Sequence, residues 1–588
     1  METTQWTLAP DCRNLAAYMR PGSHDMSHRP TVYGTRHAVS AGHYLAAAAG
    51  FSILEAGGNA IDAGVAAGIA LGVLQPDLVN FAGVAPIMIR LADGTVETIA
   101  GLGWWPKSLP ADLFMREHGG KIPDGVLRTV IPAAPDAWIA ALRRFGTMRF
   151  ADVAAPAIRF AKEGFAVYPL LERSIGSHEH EYRRWASNTA VFLPNGGVPK
   201  TGEKFVQADL ARTMQFVADQ DRAAGPDRLA GLNAAHHAFY RGDIAREIVK
   251  FQQQEGGYLS MADMAEYSSA IEPAVRRNWR GHELLTCGPW CQGPALQQAL
   301  ALVEQVGIDG LQHNSADYLH RIAECVNLAM ADREHFFGDP RFVDVPIDYL
   351  LDPATIARRA QAVRDDRAFG EMPAPLDRPN RSHLSTDAEL PKVEADTSYC
   401  CAIDRWGNAF SATPSDGSGN VPVVPGLGIA PSGRGSQSRP DPRHPAGVGP
   451  GRRPRLTPNP AMLVTKDGGA MPFGTPGGDV QIQAMLQVLL NVMHFGMEVQ
   501  DAIEAPRIAS YSFPSSFAPY EYFPGRLAVE GRIDQATRDE LAARGHTIQA
   551  WPEWTWLAGS VEAILSDPAT GMMGAGADPR RPAYAIAI

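Results

Sequence analysis

The chain has 588 residues, 45% hydrophobic and 20% charged, with 53 Lys+Arg against 64 Asp+Glu for a formal net charge of −11. This is the composition of a globular chain with ample core material, and with no long Lys/Arg run it offers no basic face to a nucleic acid or an anionic membrane. Six scattered cysteines without a CxxC pair exclude a disulfide scaffold, a zinc knuckle and a thioredoxin-like site.

In chain order, the first thirty residues are broken by Asp11, Arg13 and Arg20 and make no secretory hydrophobic segment, so the expected location is cytoplasmic. Residues 43–74 are Ala/Gly/Leu-rich with helical spacing. Gly57 and Gly58 suit a helix end and Asn59 the next start, predicting helix, tight turn, buried helix. The apolar stretch 63–74, about twelve residues, is too short to cross a bilayer. A short strand is expected at 87–91 and helices at 150–165, 241–267, 294–306 and 315–336. His178-Glu-His-Glu181 lacks a second ligand cluster and reads as a solvated helix face rather than a metal site.

The texture changes near residue 395. Residues 397–403 form a β-prone run, 404–408 carry turn residues and 409–413 read as a second strand, a hairpin beginning at Thr397. Residues 421–460 contain ten prolines and seven glycines, a disordered linker or an ordered functional loop. A strand then runs into Thr475-Pro-Gly-Gly-Asp479, and helical spacing returns over 481–495. No internal repeat is present.

Phosphate-cradle GxxxxGK[ST], dinucleotide GxGxxG, nucleophile-elbow GxSxG and metalloprotease HExxH patterns are all absent. What remains is Asp396-Thr397 opening a strand, Ser415 after the paired strand, and Gly477-Gly478 at a strand-to-helix turn. Each piece taken singly has an ordinary structural reading.

Six ordered blocks give them a common meaning: 54–62 (LEAGGNAID); 239–245 (FYRGDIA) with Glu255-Gly-Gly257 and Asp263; 331–340 (ADREHFFGDP); Asp396-Thr-Ser-Tyr399 with 404–409 (DRWGNA); Thr475-Pro-Gly-Gly478; and Ala577-Asp-Pro-Arg580. With these the chain resembles the γ-glutamyltranspeptidase family of N-terminal-nucleophile hydrolases, from about His37 to Tyr584. The resemblance implies an α+β fold, a four-layer αββα sandwich built from one proenzyme that cuts itself between Asp396 and Thr397. Residues 1–396, helical in their first half, and 397–588, beginning at the nucleophile, would form one integrated unit, a heterodimer of its own fragments or a dimer of these.

A threonine hydroxyl without a base is a poor nucleophile, but a chain-terminal threonine carries its own base. An α-amine titrates near about 7.7–8.0, close to working pH, so it can take the hydroxyl proton and return it later. By resemblance, Thr397 supplies nucleophile and base, Ser415 orients it, and the Gly477 and Gly478 N–H groups bind the oxyanion. The family implies no metal or organic cofactor.

The sequence departs from the glutathione-cleaving pattern at the substrate clamp. Leu102 or a neighbour within 100–106 stands at the arginine position, Leu456-Thr457 at the serine pair, Gln437 near the acidic position, and Gly417 where an asparagine is expected. A buried charged head group needs partners. The expected partner is therefore a small-molecule amide lacking the γ-glutamyl head, bound around Trp104, Trp105, Gln437, Leu456 and Thr457. The aromatics Trp551, Trp554, Trp556, Tyr511, Phe513, Tyr520 and Tyr522 read as core packing or as an acyl or amine pocket, and Arg452-Arg453-Pro-Arg455 as a carboxylate site or a solvated loop. The leading expectation is a self-processing Thr-nucleophile amidohydrolase, nearer the cephalosporin-acylase-like and oxamate-amidohydrolase-like branches. The alternatives are γ-glutamyl transfer or hydrolysis with a rebuilt clamp, C–C bond hydrolysis beside a ketone, and an unprocessed binding homologue.

Overall fold

The computed structural model describes residues 28–378 and 397–588. Two seven-stranded antiparallel sheets lie face to face. The first runs, in spatial order, Tyr584–Ala587, Ala38–Ala41, Cys400–Ile403, Ala409–Ala412, Ile87–Arg90, Val96–Ile99 and Ile271–Glu272. The second runs Val32–Gly34, Met572–Ala577, Glu562–Asp567, Ala470–Gly474, Ala461–Val464, His282–Thr286 and Val275–Trp279.

The strand Cys400–Ile403 shows how the layers form. Successive strand residues point to opposite faces. Cys401 and Ile403 join Met88, Met462, Ile564 and Ala575 in the slab between the sheets, whereas Cys400 and Ala402 pack on the helix Ala60–Leu74. Both faces are covered, so the strand reads as an unbroken apolar run. Helices Gly293–Val306, Ala316–Phe336 and Gln481–Met493 cover the far side of the second sheet. The result is the αββα sandwich.

The hairpin and the buried helix are tied together by their termini. Asn59 and Asp62 form a reciprocal cap at the start of Ala60–Leu74, with Oδ1 of Asn59 accepting from Ile61 and Asp62 N–H at 3.0 Å. Asp404, in the hairpin turn, accepts from Ala60 N–H at 2.9 Å and from Trp406 and Asn408 N–H at 2.9 and 3.0 Å. One carboxylate thus caps both elements and fixes where the hairpin lies on the helix. Gly64 is required at their crossing, because a Cβ there would collide with the Phe410 ring.

Three expectations need correction. The first hairpin strand begins at Cys400; residues 397–399 precede it as irregular backbone, with Ser398 N–H donating to Pro414 O at 2.9 Å. Residues 421–460 are ordered and largely buried, and no linker. The Arg452–Arg455 stretch is neither solvated nor open to a ligand: Arg455 and Arg439 pair with Glu334 at 2.7 Å each, and Arg453 pairs with Asp339 at 3.1 Å and Glu272 at 3.0 Å. Burial alone would raise the Glu334 carboxyl, but Arg439, Arg455 and His444 hold it well below the usual carboxylate range. Arginines from the proline-rich loop thereby lock it onto the 331–340 motif.

Candidate active site

Thr397 is fully buried at the mouth of the hairpin, where three chain segments converge on it. Its N–H donates to Leu78 O at 3.0 Å, its carbonyl accepts from Arg581 Nη1 at 3.5 Å, and its Oγ1 lies 2.5 Å from Ser415 Oγ. Its φ is +77°, a left-handed conformation that costs a β-branched residue about 1–2 kcal/mol. Asp396, the other side of the expected cut, lies outside the described residues.

Ser415 is placed by a two-way backbone bridge: its N–H donates to Val84 O at 3.0 Å and its carbonyl accepts from Val84 N–H at 3.3 Å. Its Oγ accepts a hydrogen bond from the Arg434 guanidinium. Arginine only donates, so Ser415 Oγ is the acceptor in that bond, while toward Thr397 Oγ1 either hydroxyl can donate. Arg434 sits in the short 3-10 turn Arg434–Gln437 of the proline-rich loop, with Nε 3.9 Å from Asp416.

Gly477 and Gly478 follow the strand Ala470–Gly474 with φ of +120° and +57°, both in the region that favours glycine. Among the described residues neither N–H is donated to an acceptor. From below, Gln292 Nε2 donates to Gly478 O and to Thr457 O, both at 2.9 Å, and Gln437 Nε2 donates to Thr457 Oγ1 at 2.8 Å. Arg333 pairs with Asp479, and Ser516 Oγ donates to Asp479 at 2.7 Å. The turn is thus held from beneath while its N–H edge stays open to a cavity also lined by Tyr511, Phe513, Phe517, Trp556 and Arg581.

The structure puts Thr397 and Ser415 in contact, and Arg581 reaches from the Thr397 carbonyl into the cavity at the glycine turn. Gln437 and Thr457 belong to the support beneath the turn. Trp104, Trp105 and Leu456 lie elsewhere: Trp105 is fully buried and donates Nε1–H to Ser438 Oγ at 2.9 Å, Trp104 packs on Tyr267, and Leu456 joins Leu102, Trp290 and Cys291 in an apolar cluster. Apolar bulk drives Trp105 and Leu456 into core, and Trp104 packs half-buried against it, rather than onto a cavity wall. Leu102 and Leu456, near which two of the clamp positions were expected, therefore meet as packed hydrocarbon. Of the other aromatics, Tyr511, Phe513 and Trp556 reach the glycine cavity, and Trp551 and Tyr522 are core.

Sequence reasoning missed Arg434, Asp77 and the cavity beside Ser415, which Asp77, His178, Glu181, Tyr182, Gly417 and Arg434 line. His178-Glu-His-Glu181 is hence only in part a solvated face: His180 and the Glu179 side chain reach solvent, but Glu181 is buried. The signal was an acidic residue in an otherwise apolar stretch and charges recurring in a short helix. Among the described residues no group of three His, Cys, Asp or Glu could hold a metal ion. The buried thiols of Cys287, Cys400 and Cys401 are pushed up by desolvation, away from reactivity.

Comparison with known proteins agrees with this geometry. The family described as Gamma-glutamyltranspeptidase matches residues 46–588. The chain is 31% identical over 556 residues to the acylase ACY 1 proenzyme of Pseudomonas sp. (strain SE83), covering 92% of each. Among solved structures, LmbA2991HD superposes with a TM-score of 0.90 at 35% identity, covering 96% of this chain and 100% of that one. The cephalosporin acylase of Bacillus halodurans does so at 0.82 and 28%, covering 97% and 99%. With the family model spanning residues 46–588 and a relative 31% identical over 92% of the chain, the chain belongs to the gamma-glutamyltranspeptidase family.

Proposed function

We propose that this protein is a self-cleaving amide hydrolase whose nucleophile is Thr397, acting on a small amide other than glutathione. The observation that carries it is the buried 2.5 Å contact between Thr397 Oγ1 and Ser415 Oγ at the mouth of the hairpin. In the intact chain the Thr397 hydroxyl attacks the Asp396 carbonyl, and the peptide nitrogen leaves as the Thr397 amine. Water opens the resulting ester, giving the Asp396 carboxylate and the free hydroxyl. The left-handed conformation of Thr397 raises the energy of the intact chain at the bond to be cut.

In the cleaved enzyme the α-amine takes the proton of the Thr397 hydroxyl as its oxygen attacks the substrate carbonyl. The oxyanion is met by the Gly477 and Gly478 N–H groups, and each such donor is worth about 10²–10³ in rate. The protonated amine gives its proton to the departing nitrogen, leaving an acyl ester on Thr397 that water hydrolyses by the same route in reverse. Ser415, itself held by Arg434, keeps the Thr397 oxygen aimed. The relatives named as acylases, and the packing of Leu102 against Leu456, support an acyl group without the γ-glutamyl head.

The test is denaturing electrophoresis with N-terminal sequencing, followed by a screen of acyl-p-nitroanilides and primary amides. The expected result is two fragments, the smaller starting at Thr397, with Thr397→Ala giving one uncleaved chain and no turnover. An intact chain that still hydrolyses its amide overturns the reading.

A further inference from the structure

Asp77 is a buried carboxylate that this chemistry does not use. It follows the helix Ala60–Leu74, is 3% exposed, and among the described residues no donor meets either of its oxygens in good hydrogen-bonding geometry, the Ser174 hydroxyl being near enough only to lower its pKa somewhat. It lies next in sequence to Leu78, whose carbonyl accepts the Thr397 N–H. It lines two adjoining cavities, one shared with Glu181, Tyr182 and Arg434, the other with Leu78, Trp556 and Arg581.

The cations around it make their hydrogen bonds elsewhere, although the Arg581 charge still acts on Asp77. Arg581 is directed at the carbonyls of Thr397 and Trp556, Arg434 at Ser415 and Asp416, and Arg128 at Asp124. His178 donates Nδ1–H to Ser174 O at 2.8 Å. Glu181, also buried, adds a second carboxylate to the wall. A carboxylate cut off from water is costly unless a cation meets it. Burial accordingly lifts the Asp77 carboxyl to about 6, even with the Ser174 hydroxyl, Arg581 and His178 nearby. The cavity at Gly477 and Gly478 is walled by Tyr511, Phe513, Phe517, Phe523 and Trp556, together with Asp479, Glu521 and Arg581.

We propose that the substrate is an amide with two unlike arms about the scissile carbonyl: an apolar group in the aromatic cavity and a primary ammonium that meets Asp77. This deepens the Thr397 reading and rests on it. The ammonium donates N–H to a carboxylate that otherwise lacks a donor in good geometry, while an acyl group ending in a carboxylate would face Asp77 and Glu181 and be repelled.

The wild-type, cleaved enzyme is tested on three p-nitroanilides of matched length: 4-aminobutanoyl, pentanoyl and 4-carboxybutanoyl. A hydrogen-bonded charge predicts kcat/KM about tenfold to a hundredfold higher for the ammonium than for the uncharged compound, with the carboxylate lowest. Asp77→Asn is expected to collapse that ratio toward one. If Asp77→Asn fails to cleave itself, the wild-type series decides alone. Preference for the carboxylate or the uncharged arm, turnover of none of the three, or an Asp77→Asn ratio like wild type overturns the proposal. So does a pH profile that Asp77→Asn shifts equally for all three, which would make Asp77 a partner of the freed Thr397 amine. A chain that splits, and that loses turnover on Thr397→Ala, yet shows no charge preference retains its nucleophile and loses only this proposal.

Discussion

Ser415→Ala isolates the contact on which the nucleophile's aim depends. The substitution deletes one oxygen that touches Thr397 Oγ1 at 2.5 Å and accepts from Arg434, while leaving the two backbone bonds to Val84 in place. A hydrogen bond to a charged group is worth about 1.5–3 kcal/mol, and the Arg434 donor stripped of an acceptor is part of that cost. Because each 1.4 kcal/mol is tenfold, kcat should fall by about 10–100-fold, as should the rate of self-cleavage, since the same oxygen attacks in both. KM should change little, for the hydroxyl lies at the reacting atom rather than along the substrate. Self-cleavage is followed by timed denaturing gels of freshly expressed chain, and turnover by stopped assays on the processed fraction. If Ser415→Ala cleaves and turns over within about twofold of wild type, the hydroxyl does not position Thr397 and the reading of the pair fails.

Three further outcomes are expected. Gln292→Leu keeps the shape but removes both 2.9 Å supports under the glycine turn, and kcat should drop about tenfold with KM nearly unchanged, as measured by steady-state kinetics. Gly478→Ala places a Cβ 3.2 Å from the Phe517 ring at a φ of +57°, so the turn must shift and both self-cleavage and turnover should fall; a single band on the gel checks it. Glu334→Gln leaves Arg439 and Arg455 without their buried carboxylate and should cost about 3–5 kcal/mol, read as a large drop in Tm by calorimetry. The folded chain holds the Glu334 carboxyl below its ordinary 4.5, so it binds this proton less readily than the unfolded chain does. Its stabilisation is complete above pH 4.5 and is lost as pH falls through the lower folded value, an acid-side loss that should be smaller in Glu334→Gln.

Much of the scaffold was written in local chemistry. The turn at Gly57–Asn59, the apolar run of Ala60–Leu74 and the hairpin around Asp404 each combine a spacing with a terminator, and a chain needs no distant partner to express them. Thr397, Ser415 and the two glycines were different: singly each had an ordinary structural reading, and only the resemblance over six ordered blocks gave them expected roles. The proline-rich loop was ambiguous because prolines and glycines say only what a segment cannot be; its order comes from arginines that find Glu334 and Asp339 about a hundred residues earlier. Trp104, Trp105 and Leu456 kept their apolar character but were taken into core, since a side chain's neighbours are not encoded beside it. Asp77, Glu181 and Arg434 come from three distant stretches and acquire meaning only when folding sets them in the wall of one cavity. What the chain's order alone could offer was a choice of candidate groups, because intrinsic reactivity belongs to residue type. Tertiary structure alone decided what stands within reach of them, because recognition is a matter of which charges and apolar walls share a cavity.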